Sequence, residues 1–321
     1  MLHIIANPAS QSGSSSLRIR KLLKHLKKEG INAALHTTTH RGHAGELVKS
    51  LQLTEKDRLL LVGGDGSMNE LINGMEIPYR VPLLLYPSGS GNDFARGMKI
   101  SHNPDDLIAR LKQNNGSAGT AVSEKIDLGE VTSISADDSY FPPRKGHRFA
   151  VSCGFGLDAM ICHYLETGNL KSICNRLHIG KLSYLIVGIK TLVLNNRAKR
   201  ADITVDADGR TLHFKKTVFV AVHNLPYEGG GFPFAPKASP KDGFLDVCIV
   251  HVPTRLHTLP LLAACLLGGR HTLFKRYVTS LQCRSITVKA DRPMALHTDG
   301  EVILGQTGFT AKALENVITY G

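Results

Sequence analysis

The chain has 321 residues, 42% of them hydrophobic and 21% charged, with 39 Lys and Arg against 27 Asp and Glu for a net charge of +12. Such a composition excludes a disordered chain, and the length suffices for two domains. Tryptophan is absent and aromatic residues make up 6%, which leaves few stacking platforms; with no nucleic-acid-binding motif either, nucleic acid is not expected as a partner.

In chain order, a core-type strand follows Met1 within a few residues, so no signal peptide is expected. Leu17, Leu22, Leu23 and Leu26 then space one apolar helix face, while Arg18, Arg20, Lys21, Lys24, Lys27 and Lys28 form a solvated one. His36, His40 and His43 lie among threonines with Glu46 as the one nearby carboxylate, and this reads as a solvated loop rather than a zinc site.

The run Leu59-Leu60-Leu61-Val62 is continuously apolar, as in a parallel strand covered on both faces. It ends at Gly63-Gly64-Asp65-Gly66-Ser67, after which Met68 to Gly74 reads as a short helix capped by Asp65 or Ser67. Glycines there admit a close approach to the backbone, and a helix N-terminus favours negative charge, so a nucleotide phosphate suits the loop. Val81 to Tyr86 repeats the strand, Pro87 to Gly91 the loop, and Asn92-Asp93-Phe94-Ala95-Arg96 the helix start. Two such loops in tandem point to one crevice beyond the carboxyl ends of adjacent strands.

From Lys125 onward the pattern changes to short β-type runs, including Phe149-Ala150-Val151, Ile203-Thr204-Val205, Val218 to Val222, Val247 to Val250 and Ile286-Thr287-Val288. Asp208-Gly209 and Asp299-Gly300 read as hairpin turns. A helical insertion is expected at about Asn169 to Leu194, where it can cover acyl chains or pack as core, and Thr132 to His147 reads as an enlarged loop. The six cysteines contain no Cys-x-x-Cys pair and are expected reduced in the core. Leu259 to Leu267 is interrupted by Pro260 and too short to span a bilayer. The following Gly268 to Tyr277 mixes Arg270, Lys275 and Arg276 with Leu273 and Phe274, a pattern suited to an anionic leaflet or to plain packing.

The segment Gly63-Gly64-Asp65-Gly66-Ser67-Met68-Asn69-Glu70, followed by Pro87-Ser88-Gly89-Ser90-Gly91-Asn92-Asp93-Phe94-Ala95-Arg96, resembles the diacylglycerol kinase catalytic domain of the bacterial lipid kinases, which are similar to sphingosine kinases. The likeness continues in order through Asn7-Pro8-Ala9-Ser10, Thr37-Thr38, Ile126 to Gly129, Gly229-Gly230-Gly231, Pro236-Lys237-Ala238, Lys241 to Val247 and Asp299-Gly300-Glu301. Ser67 and Ser90 stand where many relatives carry threonine. The resemblance implies an α/β Rossmann-like nucleotide-binding domain over 1–123, a mostly antiparallel β-sandwich lipid-substrate domain with a helical insertion over 124–315, and a tail at 316–321 returning to the first.

It further implies an ATP- and Mg2+-dependent lipid kinase, with diacylglycerol as the first candidate and phosphatidylglycerol or a sphingoid base as alternatives. An NAD kinase-like enzyme and a non-catalytic lipid-binding regulator stay open beside it. Nucleotide contacts are expected from Asn7, Pro8, Ala9, Ser10, Thr38, Gly63, Gly64, Asp65, Gly66, Ser67, Met68, Asn69 and Ser90. Glu301 corresponds to the family's proton acceptor with Asp299 beside it, and Asp65 is either a competing base or a metal organiser. A structural magnesium is expected at Asp242 with the backbone carbonyls of Ser239 and Phe244. The expected setting is cytoplasmic and peripheral to an anionic membrane, with a homodimer as a possible assembly.

Overall fold

The computed structural model describes residues 1–10, 15–113, 123–135, 145–167 and 200–321. The expected insertion at Asn169–Leu194, Cys174 and most of the expected 132–147 loop lie outside them. The chain divides into two compact units, Met1–Asp127 with Glu315–Gly321, and Leu128–Leu314.

The first unit is a parallel sheet. Strands β1 (Leu2–Ala6), β2 (Ala33–Thr37), β3 (Arg58–Gly63) and β4 (Tyr79–Pro87) stand in the order β2-β1-β3-β4. Beyond β4 the end of β13 (Glu301–Tyr320) adds a further parallel strand, pairing Ile318 with Tyr79 and Tyr320 with Leu83. Ile4, Ile5, Leu59, Leu60 and Leu61 are all fully buried, which explains the unbroken apolar runs, since both faces of the sheet are covered. Helices α1 (Ser15–Lys28) and α5 (Pro104–Gln113) cover one face through Ile19, Leu22, Leu26, Leu107, Ile108 and Leu111. Leu17, expected on that inward face, is 59% exposed; the helical phase is set by Ile19, Leu22 and Leu26 at i, i+3 and i+7. Helices α2 (His43–Ser50) and α3 (Asp65–Gly74) cross closely, because a Cβ on Gly74 would lie 2.4 Å from the Gly45 Cα. The short α4 (Asp93–Gly97) follows β4.

The first unit extends to Asp127 and resumes at Glu315. Lys125 Nζ donates to Thr319 Oγ1 at 2.6 Å, and the Asn316 N–H donates to Asp127 Oδ1 at 2.6 Å, so both flanks of the crossing belong to one body.

The second unit is antiparallel throughout its assigned pairs. Its strands are the latter part of β5 (Glu124–Ser135), then β6 (His147–Phe149), β7 (Ser152–Gly156), β8 (Ala201–Ala207), β9 (Arg210–His223), β10 (Leu245–His251), β11 (Val278–Cys283), β12 (Ser285–Thr298) and most of β13. Strands β9 and β12 each serve two layers. Their outer halves pair β8 and their inner halves pair β7, with β10 continuing from β9. A core of Phe149, Phe155, Val205, Val220, Ile249, Val288, Leu296 and Phe309 fills the sandwich. Helices α6 (Leu157–Thr167) and α7 (Thr258–Leu266) belong to the same unit. The strand expected at Phe149–Val151 breaks after Phe149, because the N–H groups of Ala150 and Val151 turn to the Asp299 carboxylate instead of a ladder. Cys153, Cys248, Cys265 and Cys283 are buried free thiols, and Cys162 is half-buried.

Candidate functional site

In the first unit, β3 and β4 end side by side, with Gly63 opposite Pro87. The Ser88 N–H donates to the Gly63 carbonyl at 2.9 Å, carrying the pairing into the loops. The loops then touch backbone to backbone: a Cβ on Gly64 would sit 2.7 Å from the Gly89 Cα, and one on Gly89 2.5 Å from the Gly64 Cα. Asn92, at φ 52° before α4, closes the second loop by accepting the Gly89 N–H at 2.9 Å and donating to its carbonyl at 2.7 Å. On the neighbouring β1 end, Asn7 Nδ2 donates to Ser67 Oγ at 3.1 Å. Ser10 Oγ lies 3.3 Å from the Ser88 carbonyl, and Ser15 Oγ donates to it at 3.2 Å. Thr38 continues β2 beside β1, its N–H on the Ala6 carbonyl at 2.9 Å. Hydroxyls, glycine backbone and the N-terminus of α3 therefore gather at one end of the parallel sheet, an arrangement that receives an anion.

Not every expected nucleotide contact faces outward. Gly66 and Ser90 are exposed and Asn7, Pro8, Ala9 and Gly64 are accessible, whereas Met68 and Asn69 are each 1% exposed and pack inward.

Asp65 and Ser67 do not cap α3, whose N-cap is Gly64 without a side-chain bond. The Asp65 carboxylate instead accepts the N–H groups of Asp93 at 3.0 Å and Phe94 at 3.0 Å. It thus caps α4 from across the crevice and ties the first loop to the second. Burial raises its carboxyl, against the lowering effect of the Phe94 and Asp93 N–H groups. Both oxygens accept backbone N–H groups, so Asp65 ties the two loops together.

In the second unit, β12 and β13 are joined by Asp299-Gly300, with Thr298 paired to Glu301. Both turn residues have positive φ, 48° and 89°, which makes a type I′ hairpin. The Asp299 carboxylate accepts three N–H groups, from Ala150 at 2.8 Å and from Val151 and Ser152 at 3.0 Å each. Asp299 latches the break between β6 and β7. Glu301 is 23% exposed at its side chain, with Oε2 3.8 Å from His147 Nε2. Asp242 is exposed and takes the Phe244 N–H at 3.1 Å, and Ser239 is half-buried in the same loop.

Residues 1–123 match the family described as the diacylglycerol kinase catalytic domain. Residues 152–319, over half of the chain, match the YegS C-terminal NAD kinase beta sandwich-like domain. The chain belongs to the bacterial diacylglycerol kinase family. Among its relatives, the protein YtlR of Bacillus subtilis (strain 168) is 29% identical over 310 residues, 95% of this chain and 94% of that one. The diacylglycerol kinase of the same organism is 27% identical over 300 residues, covering 93% and 88%. A crystal structure from Bacillus anthracis str. Sterne shares the fold with a TM-score of 0.74 at 20% identity, covering 99% of this chain and 94% of that one.

In this kinase the structure also gives positions to polar residues for which the sequence suggested no role. Glu70 Oε2 accepts the Ala44 N–H at 3.3 Å, at the start of α2. Asp158, Glu228 and His297 bring ligating atoms within 4.8 Å of one another in the buried interior of the second unit, the one such group of three among the described residues. His36, His40 and His43 do not form one, and His40 and His43 stack instead, their rings 4.5 Å apart. No regular spacing links positions 158, 228 and 297. The available sign was a histidine within the apolar run Met294-Ala295-Leu296-His297.

Proposed function

We propose that this kinase transfers the γ-phosphate of ATP to the hydroxyl of a lipid at a membrane surface, with magnesium, and that diacylglycerol is the first candidate acceptor. The observation that carries this reading is the pair of glycine loops touching at the ends of β3 and β4. Their contact leaves backbone N–H groups, the α3 terminus and the hydroxyls of Ser10 and Ser67 together at one sheet end. Phosphoryl transfer asks for such positioning, for charge neutralisation, and for a group that takes the acceptor proton. Glu301 is assigned as that base, held by the hairpin that Asp299 anchors. The relatives named diacylglycerol kinase support the acceptor class.

The donors around Asp242 fit magnesium. Asp242 is exposed, and Asp246 next to it has its carboxyl raised by burial and by the Asp242 charge. A hard cation relieves such like-charged oxygens. Asp242 would hold it with the backbone carbonyls of Ser239 and Phe244, and the bound ion supplies a fixed positive charge that stiffens the loop.

Gly64→Ala tests the cradle. Its Cβ meets backbone rather than a movable side chain, so the loops must part, at a cost of about 1–3 kcal/mol. ATP affinity by calorimetry is expected to fall at least about 10-fold with the fold retained by circular dichroism; unchanged affinity argues against the phosphate site.

Membrane contact is assigned to the second unit's apolar patch. Leu256, Leu267, Leu273 and Phe274 are 59%, 65%, 73% and 46% exposed beside Arg270, Lys275 and Arg276. No helix among the described residues is long and apolar enough to cross a membrane. Leucine burial at roughly 1.5–3 kcal/mol each predicts at least a 10-fold loss of vesicle binding in Leu267→Asp/Leu273→Asp. Co-sedimentation measures it, and equal binding to neutral and anionic vesicles would remove the electrostatic part.

The deciding experiment offers diacylglycerol, phosphatidylglycerol, sphingosine and NAD in separate reactions with γ-labelled ATP and magnesium. Label in a lipid establishes the class and the acceptor. Label in NAD alone overturns it, and no label despite ATP binding favours a regulator.

A further inference from the structure

Four ionisable side chains that the phosphoryl transfer does not use meet inside the second unit. Asp158 comes from the first turn of α6, His223 from the end of β9, Glu228 from the turn that follows, and His297 from β12. Their exposures are 6%, 0%, 7% and 1%. Two carboxylates this deep are strongly destabilising unless a positive charge faces them.

The distances are not those of hydrogen bonds. His297 Nε2 lies 3.4 Å from Glu228 Oε1 and 3.6 Å from Asp158 Oδ2, and His223 Nε2 lies 3.4 Å from Glu228 Oε2. Charge-assisted bonds would close to about 2.7–2.9 Å. Ligands placed tetrahedrally at about 2.0–2.1 Å from a zinc ion are instead about 3.3–3.4 Å apart. Asp158 Oδ2, Glu228 Oε2, His223 Nε2 and His297 Nε2 all lack a hydrogen-bond partner. The remaining atoms are engaged in a way that aims these inward. Asp158 Oδ1 accepts the Ala159 N–H at 2.7 Å, and His223 Nδ1 donates to the Leu225 carbonyl at 3.0 Å, leaving a bare lone pair on Nε2. Gly154 keeps the centre open, since a Cβ there would fall 1.9 Å from Asp158 Oδ2 and 2.3 Å from His297 Nε2.

We propose that Asp158, Glu228 and His297, with His223 as a further donor, bind a divalent transition-metal ion, zinc foremost. Mixed imidazole and carboxylate donors suit zinc and exclude magnesium as the preferred ion, so this site is distinct from the one at Asp242. The Gly300 N–H approaches His297 Nδ1 at 3.3 Å. Metal on Nε2 requires the ring proton on Nδ1, so loading moves that proton and gives up this contact, one residue before Glu301.

The test is metal content of the full chain, a readout that stands whether or not a lipid is the acceptor. After dialysis against zinc chloride and gel filtration, atomic emission is expected to give about one zinc per chain, falling below about 0.2 in His297→Gln and in Glu228→Gln. His40→Gln/His43→Gln, on the exposed loop, is expected to keep its zinc. Cobalt loading of the unaltered protein is expected to give the visible absorption of a four- or five-coordinate nitrogen and oxygen site, which needs no variant to fold. Absence of both stoichiometric zinc and that absorption overturns the proposal, as does zinc retained in folded His297→Gln and Glu228→Gln.

Discussion

Glu301→Gln is expected to lower turnover at least about 100-fold, the typical contribution of a general base, while ATP binding and thermal stability stay near those of the unaltered chain. The amide has the shape of the carboxylate and cannot accept the acceptor proton. Glu301 is suited to that role because its position is set by backbone, as the residue paired to Thr298 at the close of a type I′ turn. Its Oε2 lies 3.8 Å from His147 Nε2, near the turn that fixes its backbone. Single-turnover kinetics at saturating ATP reads the chemical step directly, and a loss below about 100-fold would return the base to another residue.

Asp299→Ala is expected to act on stability instead. Three N–H groups, on Ala150, Val151 and Ser152, lose a charged acceptor at the break between β6 and β7. Bonds to a charged group contribute about 1.5–3 kcal/mol each, and water recovers part of that at a half-buried turn, so a net loss of about 3 kcal/mol follows. This corresponds to a fall in Tm of roughly 6 °C or more. At a temperature where both proteins are folded, turnover should drop by less than about 10-fold. A loss matching that of Glu301→Gln with unchanged Tm would restore a chemical role to Asp299.

The parts of the fold that were legible in the sequence are those specified locally. Leu59 to Val62 and Val81 to Tyr86 declare buried parallel strands by being apolar without alternation, and the glycines after each declare a turn into a helix. Asp208-Gly209 and Asp299-Gly300 likewise turn as their types demand, with positive φ at all four residues. What was hidden depends on partners far along the chain. Asp65 reads as a loop carboxylate beside phosphate, and nothing local announces that it accepts the N–H groups of Asp93 and Phe94, 28 and 29 positions on. Asp299 reads as a companion of Glu301, yet it bonds to backbone about 150 residues earlier in the chain. Leu17 looks equivalent to Leu22 and Leu26 until the phase set by Ile19 turns it outward. The cluster of Asp158, His223, Glu228 and His297 has no regular sequence spacing, because the pairing of β7, β9 and β12, with α6 following β7 and a turn following β9, brings those positions together.

The end of β13 bears on how the protein is made. Ile318 and Tyr320 complete the parallel sheet by pairing with Tyr79 and Leu83, and Tyr320 packs edge-on against Phe94 with Arg110 over its ring. During synthesis from the N-terminus, the first four strands leave the ribosome long before this fifth one exists, and the whole second unit must be translated in between. Until then the outer edge of β4 presents unpaired backbone to its surroundings. The first unit is therefore a late-maturing body that closes around its fifth strand, and nascent chains stalled before residue 315 would be open to strand addition or chaperone capture.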